Sequence, residues 1–538
     1  MTTHVDHVQI RQEVTEYYQY AMFSHKWEEN EPLFKEVINK GVYQLEESFT
    51  NEKLKMFCKV MRDAGLNWAW SDTCCINRED PTVLQEAMVS MFKWYEGSAL
   101  TAVYLRDVPS RRLVDSIWNG RAWTLQEYHA SKVVRFYNND WTLYKNLDIP
   151  NHKDSLEILS EMEEVTGISA SALTALQPGL ENIREKFRLA STRQSTRVED
   201  TAYSLFGIFS LSLSVVYGEG DQALGRLLAQ LLTSSGDTSI LAWTGRSGRF
   251  NSCFPGQIFV FNRSSTSHVP LVPTRAEMES TITRSRSSAL NLDSVTKLYD
   301  RLNELPVPSF SGKRMKLPCL TFKLGQLSTS RSRAAQVFRA QTTVLGIVEI
   351  KTDTDLSRLS PLYLIHPWID FLLDRQPVGS TFLARSWESS DSQSSPVSDL
   401  PSLPQTVLEN TDDQSTIGAP LSSGVSNVSL AVVPRKRGAS FASRFGLPFG
   451  GRNLARPQDT VSLRPPSTLT ERDKQVLALQ VITRLRQPFG ALLLTSDPGN
   501  VAAYRRVAAE SLITVQVEEI TPTMLDKLID NVRVLDVL

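Results

Sequence analysis

At 538 residues the chain is too long for a single hydrophobic core, and roughly two to four domains are expected. Its apolar content of 41% is that of a globular protein diluted by unstructured stretches, and a net charge of −1 gives no reason to expect nucleic acid or an anionic membrane as its main partner. Five cysteines, without a Cys-x-x-Cys spacing, argue against a disulfide framework or a zinc site and for a reducing compartment. Met1 to Glu16 is polar and has no apolar signal core, and no apolar run is long enough to span a membrane. A soluble, cytoplasmic protein without a bound metal or required cofactor is therefore expected.

In chain order, Tyr20-Ala-Met-Phe-Ser-His-Lys-Trp27 reads as a buried strand, followed by a loop and a helix start with Pro32 in its first turn. Residues 51–66 place Leu54, Phe57, Cys58, Met61 and Ala64 at helical spacing, closed by Gly65. Trp68 to Ile76 reads as a second strand. Asp80-Pro81 then caps a helix with Leu84, Met88, Met91 and Tyr95 on one face. Leu100 to Leu105 is a third strand, Arg121-Ala-Trp-Thr-Leu-Gln-Glu127 opens a helix, and Val133 to Tyr137 is a fourth strand. Alternation of this kind predicts a parallel sheet with helices on both faces over residues 1–150. Right-handed crossovers would bring Ser24 to Trp27, Asp72 to Asn77 and the loop after Asp107 to one sheet edge, where such folds bind ligands.

Trp123 and Glu127, four residues apart, share a helix face at that edge. Read from spacing alone, Trp123 also suits a core position and Glu127 an ordinary solvated acid. Asp72 suits either a ligand contact or an Asx-turn at the strand end, and His25 suits a packed or capping role better than that of a general base.

Three blocks carry a resemblance. Tyr20–Trp27, Trp70–Asp80 and Arg121–Glu127 resemble the signature blocks of the fungal heterokaryon-incompatibility (HET) domain: a strand ending Ser-Tyr-x-Trp-Gly, then Trp-Ile-Asp-x-x-Cys-Ile-Asn-Gln, then Arg-x-Trp-Thr-x-Gln-Glu. The third is matched in full. The first has His25 for Tyr and Glu28 for Gly, and the second has Ser71 for Ile and Arg78 for Gln. HET domains are in turn regarded as relatives of the Toll/interleukin-1 receptor (TIR) fold, so the resemblance implies a TIR/flavodoxin-like α/β domain. Trp123-x-x-x-Glu127 resembles the TIR Trp-Cys-x-x-Glu motif, with Thr124 in place of cysteine, and its glutamate is catalytic in those TIR domains that cleave NAD. The resemblance thus implies Glu127 as catalytic carboxylate and NAD or a related nucleotide as substrate, with Ser24, Trp27, Asp72, Asn77, Arg121 and Trp123 as substrate-binding residues. It equally allows a non-enzymatic adaptor that self-assembles through its TIR-like domain, triggered by an unidentified protein partner or non-self signal.

Residues 151–237 read as a helical segment packed on the first domain, with Thr196-Arg-Val-Glu199 as a capping box and Val215 to Asp221 as a turn into a helix. Gly218 and Gly220 form no phosphate loop, because no Gly-Lys-Ser/Thr follows them. Residues 238–385 are expected to be β-rich, with runs at Ile240–Trp243, Gln257–Phe261, Cys319–Leu324, Thr343–Ile350 and Tyr363–His366 and a flexible loop over 264–290. Residues 386–472 are Ser/Pro/Gly-rich and expected to be disordered, and Arg435-Lys-Arg437 within them suits a solvated linker better than an import signal. Residues 473–538 are expected to complete the β-rich domain.

Overall fold

The computed structural model describes residues 13–262, 273–331, 336–368, 429–430, 470–517 and 519–538. Its first unit is a parallel sheet of four strands, β1 (Tyr20–His25), β2 (Trp68–Ser71), β3 (Leu100–Tyr104) and β4 (Val134–Tyr137), in the spatial order β2-β1-β3-β4. Met22 lies opposite Trp70 on one side and Thr101 on the other. Helix α1 (Phe49–Asp63) links β1 to β2, α2 (Pro81–Glu96) links β2 to β3, and α3 (Ala122–Ala130) links β3 to β4.

Local chemistry sets these boundaries. Ser48 caps α1 by accepting from Asn51 N, and Gly65, at φ +82°, turns the chain out of it. Asp80 accepts from Thr82 N and Val83 N, with Pro81 in the first turn of α2. Successive β1 side chains then divide between two cores. Ala21 and Phe23 pack with Leu54, Phe57 and Met61 of α1, whereas Met22 packs with Trp70, Met91 and Tyr95 on the α2 and α3 side. Helices cover both faces.

Two expectations fail here. β2 ends at Ser71, because Cys75 N turns back to Ser71 O at 2.9 Å and Asp72 to Ile76 form turns. Pro32 precedes Leu33, the cap of a four-residue helix at Phe34–Val37, and so lies outside the helical turn.

The helical segment, with α4 (Leu156–Thr166), α5 (Ile183–Ser191) and α6 (Gln222–Ser235), joins the core on the α2 side. Contact at Gly207 is so close that a Cβ there would lie 2.1 Å from Phe92 Cβ. Thr196 and Glu199 do not form a capping box. Glu199 instead accepts from Gly218 N at 2.8 Å and Gly220 N at 3.0 Å, and so fastens the turn before α6.

Beyond this segment, Ile240–Trp243 and Gln257–Phe261 are not strands; they fall in and beside the 3-10 turns Thr238–Leu241 and Ile258–Asn262. The Ser/Thr-rich stretch expected as a loop contains α7 (Arg275–Ser287), started by a Thr274/Glu277 capping box, and an unanticipated helix α8 (Leu292–Asn303) follows. Residues 263–272 lie outside the described residues, as does 386–469 apart from Ser429–Leu430. Helix α9 (Glu471–Leu485) is capped at Thr470.

Strands β5 (Arg314–Lys323), β6 (Leu362–Pro367), β7 (Phe489–Asp497), β8 (Asn500–Arg506) and β9 (Val532–Val537) close a barrel-like sheet. Pairing runs β6 to β7 to β8 to β9 to β5 and back to β6, parallel only between β8 and β9. Helix α10 (Pro522–Asp530) precedes β9, and Leu327–Arg331, Gln336–Gln341 and Ile347–Lys351 form a separate antiparallel sheet. The run expected from Thr343 becomes a strand only at Ile347, after a turn in which Thr342 N reaches Gly346 O at 2.8 Å. Period two again splits the core: Met315, Leu317 and Cys319 of β5 pack with the helical segment, whereas Leu320 and Phe322 pack under α8, α9 and α10.

Candidate functional site

In the order β2-β1-β3-β4 the chain leaves β1 toward one side and returns on the other at β3, so the carboxyl ends of β1 and β3 border the crevice where such sheets bind ligands. Ser24 stands there, fully buried. It accepts from Trp118 Nε1 at 2.8 Å and donates to Glu127 Oε2. Trp118 is held by a short turn, Ile117–Gly120, whose start is pinned by Asp107 accepting from Ser116 Oγ and Ile117 N, each at 2.8 Å. Its ring sits edge-on to Tyr128 and Phe136. A chain of hydrogen bonds from indole to hydroxyl to carboxylate therefore fixes Glu127.

Helix α3 is fixed at its N-terminus by a strap from the helical segment. Gln194 pairs with Arg121, and Ala122 N donates to Gln194 O at 2.8 Å. Arg193 donates to Thr124 Oγ1 at 2.8 Å and Arg121 O at 3.1 Å. Glu127 is only 7% exposed. Burial, reinforced by the Asp72 carboxylate, pushes its carboxyl up to about 8, against the opposing pull of Ser24, Arg121 and Arg193. Burial also lowers the Arg193 guanidinium to about 10. Arg121 Nε is buried and has no hydrogen-bond partner.

Asp72 follows β2 at the same edge. It accepts from Trp27 Nε1 at 2.9 Å and lies 4.0 Å from Arg78, whose guanidinium stacks 3.9 Å from the Trp27 ring. Burial raises the Asp72 carboxyl, while Arg78 and Arg121 favour its ionised form. Arg78, a departure from the signature block, thus becomes part of the cluster.

Toward α1, His25 stacks on Phe23 at 4.1 Å, and Lys53 pairs with Glu31 in nearly complete burial. His25 Nε2 lies 3.7 Å from Glu31. Burial, aided by Lys53 and Arg121, holds the imidazole well below its ordinary value, so it is neutral.

The structure therefore brings Ser24 onto Glu127 and Trp27 onto Asp72, with Arg121 within electrostatic reach of both acids. It does not seat Trp123 beside Glu127 as a pair: the Trp123 side chain hydrogen-bonds Asp200, which also accepts from Tyr217 OH at 2.8 Å. Asn77 accepts from Glu79 N at 3.2 Å in the turn that leads to α2. Two cavities flank the region without including Glu127. One of about 710 Å³ is lined by Val108, Arg111, Asn138 and Tyr144, and one of about 360 Å³ by Arg193, Gln194, Val198 and Phe259.

Trp118, Arg193 and the Lys53–Glu31 pair were not singled out from sequence. Nothing local marks Arg193, which arrives from another element. A tryptophan three residues before the Arg121 block was the only visible hint of Trp118. Chemically, the edge offers a carboxyl that exchanges its proton near neutral pH, two flanking guanidinium groups and an indole ring.

Residues 20–112 match the family model described as heterokaryon incompatibility protein (HET). Over 226 residues the chain is 36% identical to the vegetative incompatibility protein HET-E-1 of Podospora anserina, a match covering 39% of this chain and 16% of that protein. No solved structure matches. The family match begins at β1 and runs through β3, so it falls on the parallel sheet that carries Ser24 and Asp72. Together these likenesses support a heterokaryon-incompatibility domain protein.

Proposed function

We propose that the chain acts in fungal self/non-self recognition, and that its parallel-sheet domain, TIR/flavodoxin-like in kind, triggers cell death by cleaving the glycosidic bond of NAD or a related nucleotide at Glu127. The ionised Glu127 stabilises positive charge on the ribose as the C–N bond breaks and its electron pair leaves with nicotinamide. Water then adds at the anomeric carbon and loses a proton. Ser24 and Arg121 orient the carboxylate, Asp72 and Asn77 bind ribose hydroxyls, and Trp27 or Trp123 provides a wall for a flat base. The reading is supported above all by one observation: a buried carboxyl aligned by Ser24 at the β1/β3 crevice, with its proton held to about pH 8.

The test is nicotinamide release from NAD by the full chain. Glu127→Gln is expected to lower turnover about 100-fold or more and Ser24→Ala to lower it less, because Ser24 only positions the carboxylate. Turnover should rise with pH through about 8 as Glu127 ionises. Absence of product from the wild type overturns the enzymatic reading.

A second reading, a non-enzymatic adaptor acting by homotypic assembly, is favoured by the burial of Glu127 and by flanking cavities that do not include it. Light scattering across concentration tests it, and a strictly monomeric chain would sink it.

A further inference from the structure

β2 is one of the two outer strands of the four, and one of its edges faces away from β1. Its sequence, Trp68-Ala-Trp-Ser71, carries no charge and no proline, the usual devices that keep an open edge from pairing with other chains. Beside it lies an aromatic patch: Tyr17 and Tyr18 are 56% and 42% exposed, Tyr18 stacks on Trp68 at 5.9 Å, and Tyr17 meets the same ring edge-on at 6.3 Å. An uncharged edge flanked by exposed tyrosines is suited to adding an extended peptide as a strand.

The structure seats such a peptide there, and it is the chain's own. Ser429–Leu430 pairs in parallel with Trp68–Ala69. In sequence these two residues sit within Val428-Ser-Leu-Ala-Val-Val433, a β-prone run that ends at Pro434 in otherwise Ser/Pro/Gly-rich surroundings. A parallel partner cannot come from a tight hairpin and needs a long connection, and residues 72–428 lie between the two paired segments.

We propose that the segment at Ser429–Leu430 is an in-chain edge strand that closes β2 and keeps this edge from pairing with a second copy of the protein. The inference is independent of the reaction at Glu127.

Hydrogen exchange on the full chain, wild type beside Leu430→Pro, tests it directly. Proline removes a backbone N–H from the paired segment, and unchanged exchange of the β3 amides shows that global folding is preserved. A control, Ser415→Pro, alters the same stretch away from the paired residues. The outward-facing amides of Trp68–Ser71 should exchange at least about tenfold faster in Leu430→Pro than in the wild type or control. A synthetic peptide spanning residues 425–436, added in excess, should restore the slow rate. Equal exchange in wild type and Leu430→Pro would overturn the proposal. The variant should also shift to larger species by light scattering, and a variant with a deprotected β2 that stays monomeric would remove the part of the proposal that concerns a second copy.

Discussion

The carboxyl edge of the parallel sheet and the seam between barrel and helical segment each bury arginine, and they do so differently. At the seam, Arg506 of β8 donates to Leu241 O at 2.9 Å and Trp243 O at 2.6 Å, and its guanidinium stacks 3.8 Å from the Trp243 ring. Asn251 adds a bond to Val537 O at 2.9 Å. These donors meet acceptors that have fixed places in the backbone. At the sheet edge Arg121 leaves Nε buried without a partner, and the Asp72 carboxylate adds to the burial that raises the proton affinity of Glu127. A satisfied buried charge specifies how two parts dock. An unsatisfied one does not, and the protein maintains that arrangement at a cost in stability.

The contrast is sharpest at Arg506. Arg506→Ala removes the charged donors to Leu241 O and Trp243 O together with the stacking on Trp243, and is expected to destabilise the chain by about 3 kcal/mol in denaturant unfolding. A loss under about 1 kcal/mol would mean that the seam does not depend on this side chain.

Glu127 should behave in the opposite sense. Its folded-state carboxyl lies near 8, above the ordinary value of 4.5, so it contributes stability that is fully present below pH 4.5 and is lost as pH rises through about 8. Glu127→Gln carries no ionisable proton and should flatten that decline, by an amount bounded at about 5 kcal/mol between pH 4.5 and 9. Parallel pH–stability curves for the two proteins would show that Glu127 does not titrate in this range.

The smallest effect is expected at Arg78. Its guanidinium is partly exposed, so Arg78→Ala should cost about 1 kcal/mol or less in stability. Under the enzymatic reading it should act on KM for NAD more than on kcat, because it supports the Trp27 and Asp72 wall rather than the reacting carboxylate. A fall in kcat alone would place Arg78 closer to the chemistry.

How much of this was legible in the sequence follows from how local each signal is. Asp80-Pro81, the apolar run from Tyr20 and the spacing of Leu54, Phe57 and Met61 each determine an element within a few residues, and the parallel sheet follows from their alternation. Ser24, Asp72 and Glu127 could be assigned to one edge because each lies at the carboxyl end of a strand or on the helix that follows one. Arg193 could not, since its place beside Thr124 depends on how a separate segment docks. The barrel was harder still. β5 pairs with β9 across more than two hundred residues, and Ile240–Trp243, apolar enough for a strand, is instead wound into a 3-10 turn whose carbonyls receive Arg506. Composition also misled at Arg275–Ser287, where a Thr274/Glu277 capping box starts a helix in a Ser/Thr-rich stretch.

The barrel's connectivity has a further consequence. β5 and β6 come before residues 369–469 in the chain, and β7, β8 and β9 come after them. A single cut between residues 369 and 469 would therefore yield two fragments held together by hydrogen-bonded strands and a shared core, while a chain terminated in the same interval would lack three of the five staves and leave the apolar face of β5 bare. Nicking and truncation at one position would thus have opposite outcomes, the first a complementing pair and the second an aggregation-prone remnant.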